Sequence, residues 1–130
     1  MSTLRTNALE GVDAKNSITI VAGAGNITTT NVQEGLAKCF AKWASNSSHA
    51  IADSFNTASM TDPGTGVGNA NFTNNMSNAN FSISATTESM NEAVNFANVS
   101  TSAVSVSTYN SSHSATDNAH TTATVHGDLA

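Results

Sequence analysis

The chain has 130 residues, of which four are basic and nine acidic, for a formal net charge of −5. Four basic side chains cannot neutralise many phosphates, which argues against a nucleic-acid partner. The longest apolar run, 18–22, is broken by Thr19 and is far too short to cross a membrane as a helix.

Asn, Ser and Thr together fill 53 of the 130 positions. Their short side chains bond nearby backbone groups, so they favour turns, caps and strand edges over helix interiors. Threonine adds the β-branching that suits strands. Leu, Ile, Val and Phe number only 23, while alanine alone contributes 20. A core that thin is best stabilised by sharing it between copies, so an obligate oligomer is expected. Cys39 is the single cysteine and has no internal disulfide partner. With no basic-then-apolar leader visible, synthesis in a reducing cytoplasm without Sec export is expected. Seven N-x-S/T triplets are no more than this composition produces by chance, and no glycosylation is read into them.

In chain order, 1–16 (MSTLRTNALEGVDAKN) is polar with isolated Leu4, Leu9 and Val12, and is expected to form an extended arm. SITIV at 17–21 is dense in β-formers, AGAGN at 22–26 is a turn, and ITTTN at 27–31 is a second short strand. The stretch 31–43 fits two patterns. As a helix, Asn31 would cap it, Glu34 would complete a capping box, and Val32, Leu36, Phe40 and Trp43 would share a side. As a strand from Leu36, Ala37, Cys39, Ala41 and Trp43 face one way while Lys38, Phe40, Lys42 and Ala44 face the other. Gly35 weakens the helix by about 1 kcal/mol, so a turn at 31–35 followed by a strand is preferred.

Beyond that point the rhythm is that of strands. HAIADSFN at 49–56 and ASM at 58–60 are short strands, and TDPGTGVGN at 61–69 is a turn around the only proline. ANFTN at 70–74 and NANFSISATT at 78–87 follow, with Phe81, Ile83 and Ala85 on one face. NEAVNFANV at 91–99 is mixed. TSAVSVSTY at 101–109 opposes Val104 and Val106 to Ala103 and Ser105. NSSHSATDN at 110–118 is a loop, and HTTATVHGDLA at 120–130 is a terminal strand with Ala123 and Val125 inward. Alternating runs separated by turns every 8–12 residues or so imply an all-β fold, an antiparallel β-sandwich or jelly-roll-like domain. The domain is taken as 17–130, preceded by the arm at 1–16.

No set of residues reads as a catalytic centre. His49, His113, His120 and His126 could serve as bases and Asp53, Asp117 and Asp128 could orient them, but no nucleophile motif accompanies them. GTGVG at 64–68 lacks the spacing and the lysine of a phosphate-cradling loop. Asp53, Asp62, Glu88 and Glu92 form no recognisable carboxylate pair for glycoside hydrolysis. His120 and His126 lie on one side of a strand but roughly 20 Å apart, so they cannot share an ion within one chain. The expectation is no enzyme, no cofactor and no metal site, although a histidine on a symmetry axis could meet its own copies. Tyr109, with Asn110 and His113 in the loop after it, is the best candidate for surface contact. Trp43, Phe55, Phe72, Met76, Phe81, Ile83, Val104 and Val106 are the candidates for packing within the core or between copies. Cys39 is expected to behave as a small buried apolar residue.

Four stretches, STLRTNALEG, EGLAKCFAKW, DSFNTASMTDPGTGVGNANFTNNMSNANFSIS and VHGDLA, are together similar to a family of small tail-fibre-like virion proteins of marine and cyanobacterial tailed phages. The resemblance spans nearly the whole chain, and the central stretch is its most specific part. The chain departs from the family in ASNSSHAIA, where a glycine-rich loop is usual, and in carrying Asn, Ser and Thr at strand positions that are often aromatic or charged. The resemblance implies a homotrimeric virion protein made in the host cytoplasm. Its arm, through Leu4, Arg5 and Leu9, would dock to other tail or capsid proteins. Its β-domain would touch a host surface polysaccharide or receptor during adsorption. A capsid decoration or cement protein, which shares size, strand content and trimeric habit, is the alternative.

Overall fold

A computed structural model describes residues 19–22, 28–31, 35–88 and 93–130, with the backbone alone for 19–22, 28–31, 93 and 97. The chain divides into two compact units, Met1–Leu36 and Ala37–Ala130. In the first, β1 (Thr19–Ala22) and β2 (Thr28–Asn31) pair antiparallel, with Thr19 opposite Asn31 and Ala22 opposite Thr28. These are the two short strands expected on either side of AGAGN. The arm at 1–16 lies outside the described residues.

The second unit is all-β and antiparallel. Its strands are β3 (Cys39–Ala44), β4 (Ala50–Phe55), β5 (Thr57–Gly64), β6 (Val67–Phe72), β7 (Ser82–Thr87), β8 (Ala93–Val99), β9 (Ala103–Tyr109) and β10 (Thr121–His126). They form two four-stranded sheets in the orders β4-β3-β10-β7 and β5-β6-β9-β8. The chain passes from one sheet to the other four times, after β4, β6, β7 and β9. The two inner faces pack together in a β-sandwich-like arrangement, and each core cluster draws on both sheets. Cys39 and Val125 from the first sheet meet Ala70, Phe72 and Val104 from the second, together with Met76 from a loop. Ala41, Trp43 and Ala123 meet Val106.

Strand period explains this core. In β3 the residues Cys39, Ala41 and Trp43 are buried and alternate with outward side chains, and β10 repeats the pattern with Thr121, Ala123 and Val125. The helix alternative for 31–43 is thereby excluded over β3. Lys38 departs from its expected outward place. It is buried, its N–H donates to the Val125 carbonyl at 2.7 Å, and its own carbonyl accepts from Asn56 Nδ2 at 2.9 Å. Phe72 and Phe81 meet edge to face at 6.0 Å, and Met76 is 1% exposed.

Three placements refine the expectations. Phe55, a candidate for packing within the core or between copies, is not part of this chain's core. It lies on the outer face of the first sheet, 52% exposed, stacked on its cross-strand neighbour Phe40 at 6.3 Å. The turn placed at 61–69 is much shorter, because β5 continues to Gly64 and the reversal is Thr65 and Gly66. Pro63 is tolerated in β5 since this is an edge strand whose register with β6 shifts between Thr61 and Gly64. Finally, Ser105 and Ser107 are buried although they point away from the core. Ser107 sits between Val67 and Asn95 and Ser105 beside Asn69, and these longer neighbours shade the short hydroxymethyl groups on the central strand.

Candidate functional site

The strand directions give the second unit two distinct ends. The chain enters at Ala37, and the connections 73–81 and 100–102 and the final residues 127–130 lie at that same end. They are tied together there: Met76 N–H donates to the Thr101 carbonyl, Ser77 N–H to Asp128, and Ala130 N–H to Asn75. The connections at 45–49, 65–66 and 110–120 gather at the opposite end.

This far end is closely cross-linked. Ser45 Oγ accepts from Asn118 N–H at 2.7 Å and donates to the Asn118 carbonyl at 3.2 Å, joining two loops 73 residues apart in sequence. Asp117 Oδ1 accepts from Gly66 N–H at 2.6 Å. Thr108 Oγ1 donates to the Thr116 carbonyl at 2.6 Å, and Glu88 Oε1 accepts from Ala119 N–H at 2.8 Å. Gly66 has φ +71°, and a Cβ there would lie 2.7 Å from both the Thr108 carbonyl and the Thr116 N–H nitrogen. Only glycine meets both the conformational and the steric demand.

His49 is buried at this end, 4% exposed. It and Ser48 adopt left-handed φ values of 53° and 52°, which turn the ring inward. Its Nε2 lies 2.9 Å from the Val67 carbonyl; that oxygen can only accept, so Nε2 carries the proton. Nδ1 faces Asp62 Oδ2 at 3.6 Å, beyond hydrogen-bond length. Trp43 Nε1 and Thr121 Oγ1 are likewise buried and have no partner among the described residues. Gly68 lies against both rings, for a Cβ there would be 2.9 Å from Trp43 Nε1 and 3.0 Å from His49 Cδ2. Imidazole and indole thus form one packed structural unit over Gly68. Cys39, near the other end, has Sγ 3.3 Å from Thr57 Oγ1, and burial pushes its thiol above the ordinary value of 9.0.

Tyr109, Asn110 and His113 come together at this end. Asn110 Oδ1 accepts from Ser112 N–H at 2.9 Å and from Ser114 N–H at 3.1 Å, while Asn110 N–H donates to the Ser114 carbonyl. His113, at φ 59°, donates its N–H to the Asn110 carbonyl. The result is a closed loop that holds Ser111, Ser112, His113 and Ser114 exposed, with Tyr109 half-buried at its base and bridged to Ala115. Among the described residues, the exposed acids at this end are Asp62, Glu88 and Asp117, and each already accepts a backbone N–H. They fix loops, and among the described residues no Lys or Arg accompanies them. Loop 110–114 itself presents hydroxyls and an imidazole, groups that can hydrogen-bond a neutral ligand.

His120 is exposed and His126 half-buried near the opposite ends of β10. Among the described residues, no three His, Cys, Asp or Glu side chains form a group that could hold a metal ion. Leu4, Arg5 and Leu9 lie outside the described residues. The sequence reading missed the loop-locking residues Ser45, Asn118, Asp117 and Glu88, because a polar residue in a loop carries no periodicity that separates a buried staple from a solvated side chain. Comparison with protein-family models, with curated proteins and with solved structures gave no match to this chain.

Proposed function

We propose that this chain is a structural protein of a tailed bacteriophage virion, a tail-fibre-like appendage that docks through its N-terminal residues and meets the host surface with its far loops. The observation that carries this is the polarity of the second unit. The chain enters at one end, and the rigid, exposed loop 110–114 stands at the other, the arrangement an adsorption module needs. Loop 110–114 itself carries no carboxylate, lysine or arginine and suits a polysaccharide, whose hydroxyl groups are matched by short neutral donors and acceptors. The four sequence stretches that resemble phage tail-fibre-like proteins point the same way. Identical copies, three in the arrangement that resemblance implies, would share the apolar surface that one chain leaves exposed.

Purified protein should compete with phage for adsorption to host cells, and replacing Ser111, Ser112 and His113 by glycine should abolish the competition without loss of folding. Deleting residues 2–12 should leave a folded protein that no longer incorporates into particles. If the protein fails to compete, or if it binds empty capsids in many copies and not isolated tails, the decoration reading replaces this one.

A further inference from the structure

Each of the two four-stranded sheets ends in two edge strands, and three of the four edges carry devices that discourage further pairing. The edge strand β4 holds Asp53, and its register with β3 shifts between Lys42 and Trp43. The edge strand β5 holds Asp62 and Pro63 and shifts register twice. The edge strand β8 shifts between Phe96 and Val99. Charges, proline and bulges are the usual means by which proteins blunt a sheet edge. The remaining edge, β7, has none of them. SISATT pairs with β10 through six consecutive unshifted rungs, from Ser82 opposite His126 to Thr87 opposite Thr121. It carries no charge, proline or glycine. Among the described residues no strand lies on its other side, where alternate residues turn N–H and C=O outward.

The flank beside β7 is apolar. Phe96 and Val99 of β8 are paired with the core residues Val106 and Val104, yet are 42% and 39% exposed. Ile83 and Ala85 on the inner side of β7 are only half-buried. We propose that β7 is an interface with a second copy of this chain, pairing antiparallel with its own counterpart to make one continuous eight-stranded sheet.

The self-complementary pattern of β7 selects this occupant, and charge selects this edge. Two chains of net charge −5 repel, and self-pairing along β4 or β5 would bring Asp53 or Asp62 toward its own copy. Neither β7 nor β8 carries any charge, so this flank is where like copies approach at least cost. Face matching fixes the register. Opposed residues must point to the same side, so the twofold axis falls on a residue and not between two. Centred on Ser84, the pairing sets Ile83 against the smaller Ala85 of the second copy. On the outer face it sets Ser82 against Thr86, extending the hydroxyl contact between Thr86 and Thr122 at 2.9 Å. Centring on Ala85 would instead oppose Ile83 to the Thr87 hydroxyl and bring Glu88 opposite Ser82.

This inference does not depend on the phage reading and concerns a contact distinct from any threefold attachment. Light scattering on the full chain should give an even number of 13.3 kDa subunits. Ser84→Lys, at an exposed outward position, places like charges face to face and should halve the mass with an unchanged circular dichroism spectrum. Under mild oxidation Ser84→Cys should yield a covalent dimer. Ser82→Cys should not, because the two Ser82 sites would lie on the order of 13 Å apart along the strands. A monomer, a trimer whose mass Ser84→Lys leaves unchanged, or equal cross-linking at the two cysteine positions overturns the proposal. None of these results bears on adsorption, so the two readings fail separately.

Discussion

Replacing Gly68 by alanine tests the packing at the far end of the sandwich. The added Cβ would sit 2.9 Å from Trp43 Nε1, 3.0 Å from His49 Cδ2 and 3.2 Å from His49 Nε2. Contacts under 3.0 Å do not survive in real structures, so a ring has to move. Neither moves freely. Trp43 is 2% exposed and wedged among Ala41, Val106 and Ala123, while His49 is held by its bond to the Val67 carbonyl. Overpacking of a rigid core costs roughly 1–3 kcal/mol. Gly68 is not in the left-handed region, so alanine also gains a little from the smaller entropy of its unfolded chain, about 0.4–1 kcal/mol. The net expectation is a loss of about 1–2 kcal/mol, or a fall in Tm on the order of 4–16 °C for a unit of this size. Urea unfolding followed by circular dichroism measures it, with the slope unchanged and the midpoint lowered. A double-mutant cycle with Trp43→Phe isolates the contact, since removing the indole nitrogen removes its closest encounter. The second substitution should cost less in the Gly68→Ala background than alone. Full stability in Gly68→Ala, or strict additivity in the cycle, would refute the argument that Gly68 is there for space.

Ser45→Ala leaves the Asn118 N–H without its Ser45 acceptor inside the far end and should cost roughly 1–3 kcal/mol in urea unfolding; hydrogen exchange at Asn118 should rise in step, and an unchanged exchange rate would count against the staple. Phe72→Ala should cost about 3–5 kcal/mol, whereas Phe55→Ser, on the exposed outer face, should cost under about 1 kcal/mol; equal losses would mean that Phe55 is covered in solution. Cys39 has its thiol raised by burial, an effect only partly offset by Thr57, so the folded state disfavours the thiolate more than the unfolded state does. Its contribution is complete below the unfolded value and is lost as pH rises through the folded one. Stability should therefore decline above about pH 9 by more in the native protein than in Cys39→Ala, and parallel pH profiles would refute this.

How much of this fold was legible follows from what alternation can report. In β3, β9 and β10 the inward apolar residues are two apart, and in β9 and β10 those between them are mostly small and polar, so Trp43, Val104, Val106, Ala123 and Val125 could be placed inward from alternation. Around 31–43 the strand pattern competed with a plausible capped helix, and β3 resolves it because Cys39, Ala41 and Trp43 all meet the opposite sheet. Alternation could not report Phe55. It obeys the strand period but on the outer face, with Phe40 as its partner, and the sequence gives no sign which face of an edge strand is inward. Nor could it report Lys38, whose burial depends on Val125 and Asn56, both distant in sequence. His49 is the sharpest case. A histidine in a run of Asn and Ser looks solvated, and only the two successive left-handed residues, Ser48 and His49, carry it inward.

The asparagine-rich stretch 71–80 shows why so polar a chain can still hold one structure. Asn71 Nδ2 reaches Thr61 Oγ1 at 2.8 Å and Ser59 Oγ at 3.1 Å across the β5–β6 pair. Asn74 N–H donates to Asn56 Oδ1 at 2.7 Å, while Asn56 Nδ2 returns bonds to the Asn74 and Lys38 carbonyls. Asn78 Oδ1 accepts from Asn80 N–H at 2.7 Å. Asn71 ties two strands together while Asn56 and Asn78 bond backbone groups and fix bends, so the few apolar residues nearby, Phe72, Met76 and Phe81, are delivered to the core without long helices or charged pairs to position them. Asn56, at φ 55°, accepts a left-handed conformation that a β-branched residue would resist. On this logic the amides are structural first. Asn56→Ala would strip bonds from Lys38 and Asn74 together and should loosen the entry end of the sandwich, while the loop 110–114 at the other end, closed by its own Asn110, keeps its shape.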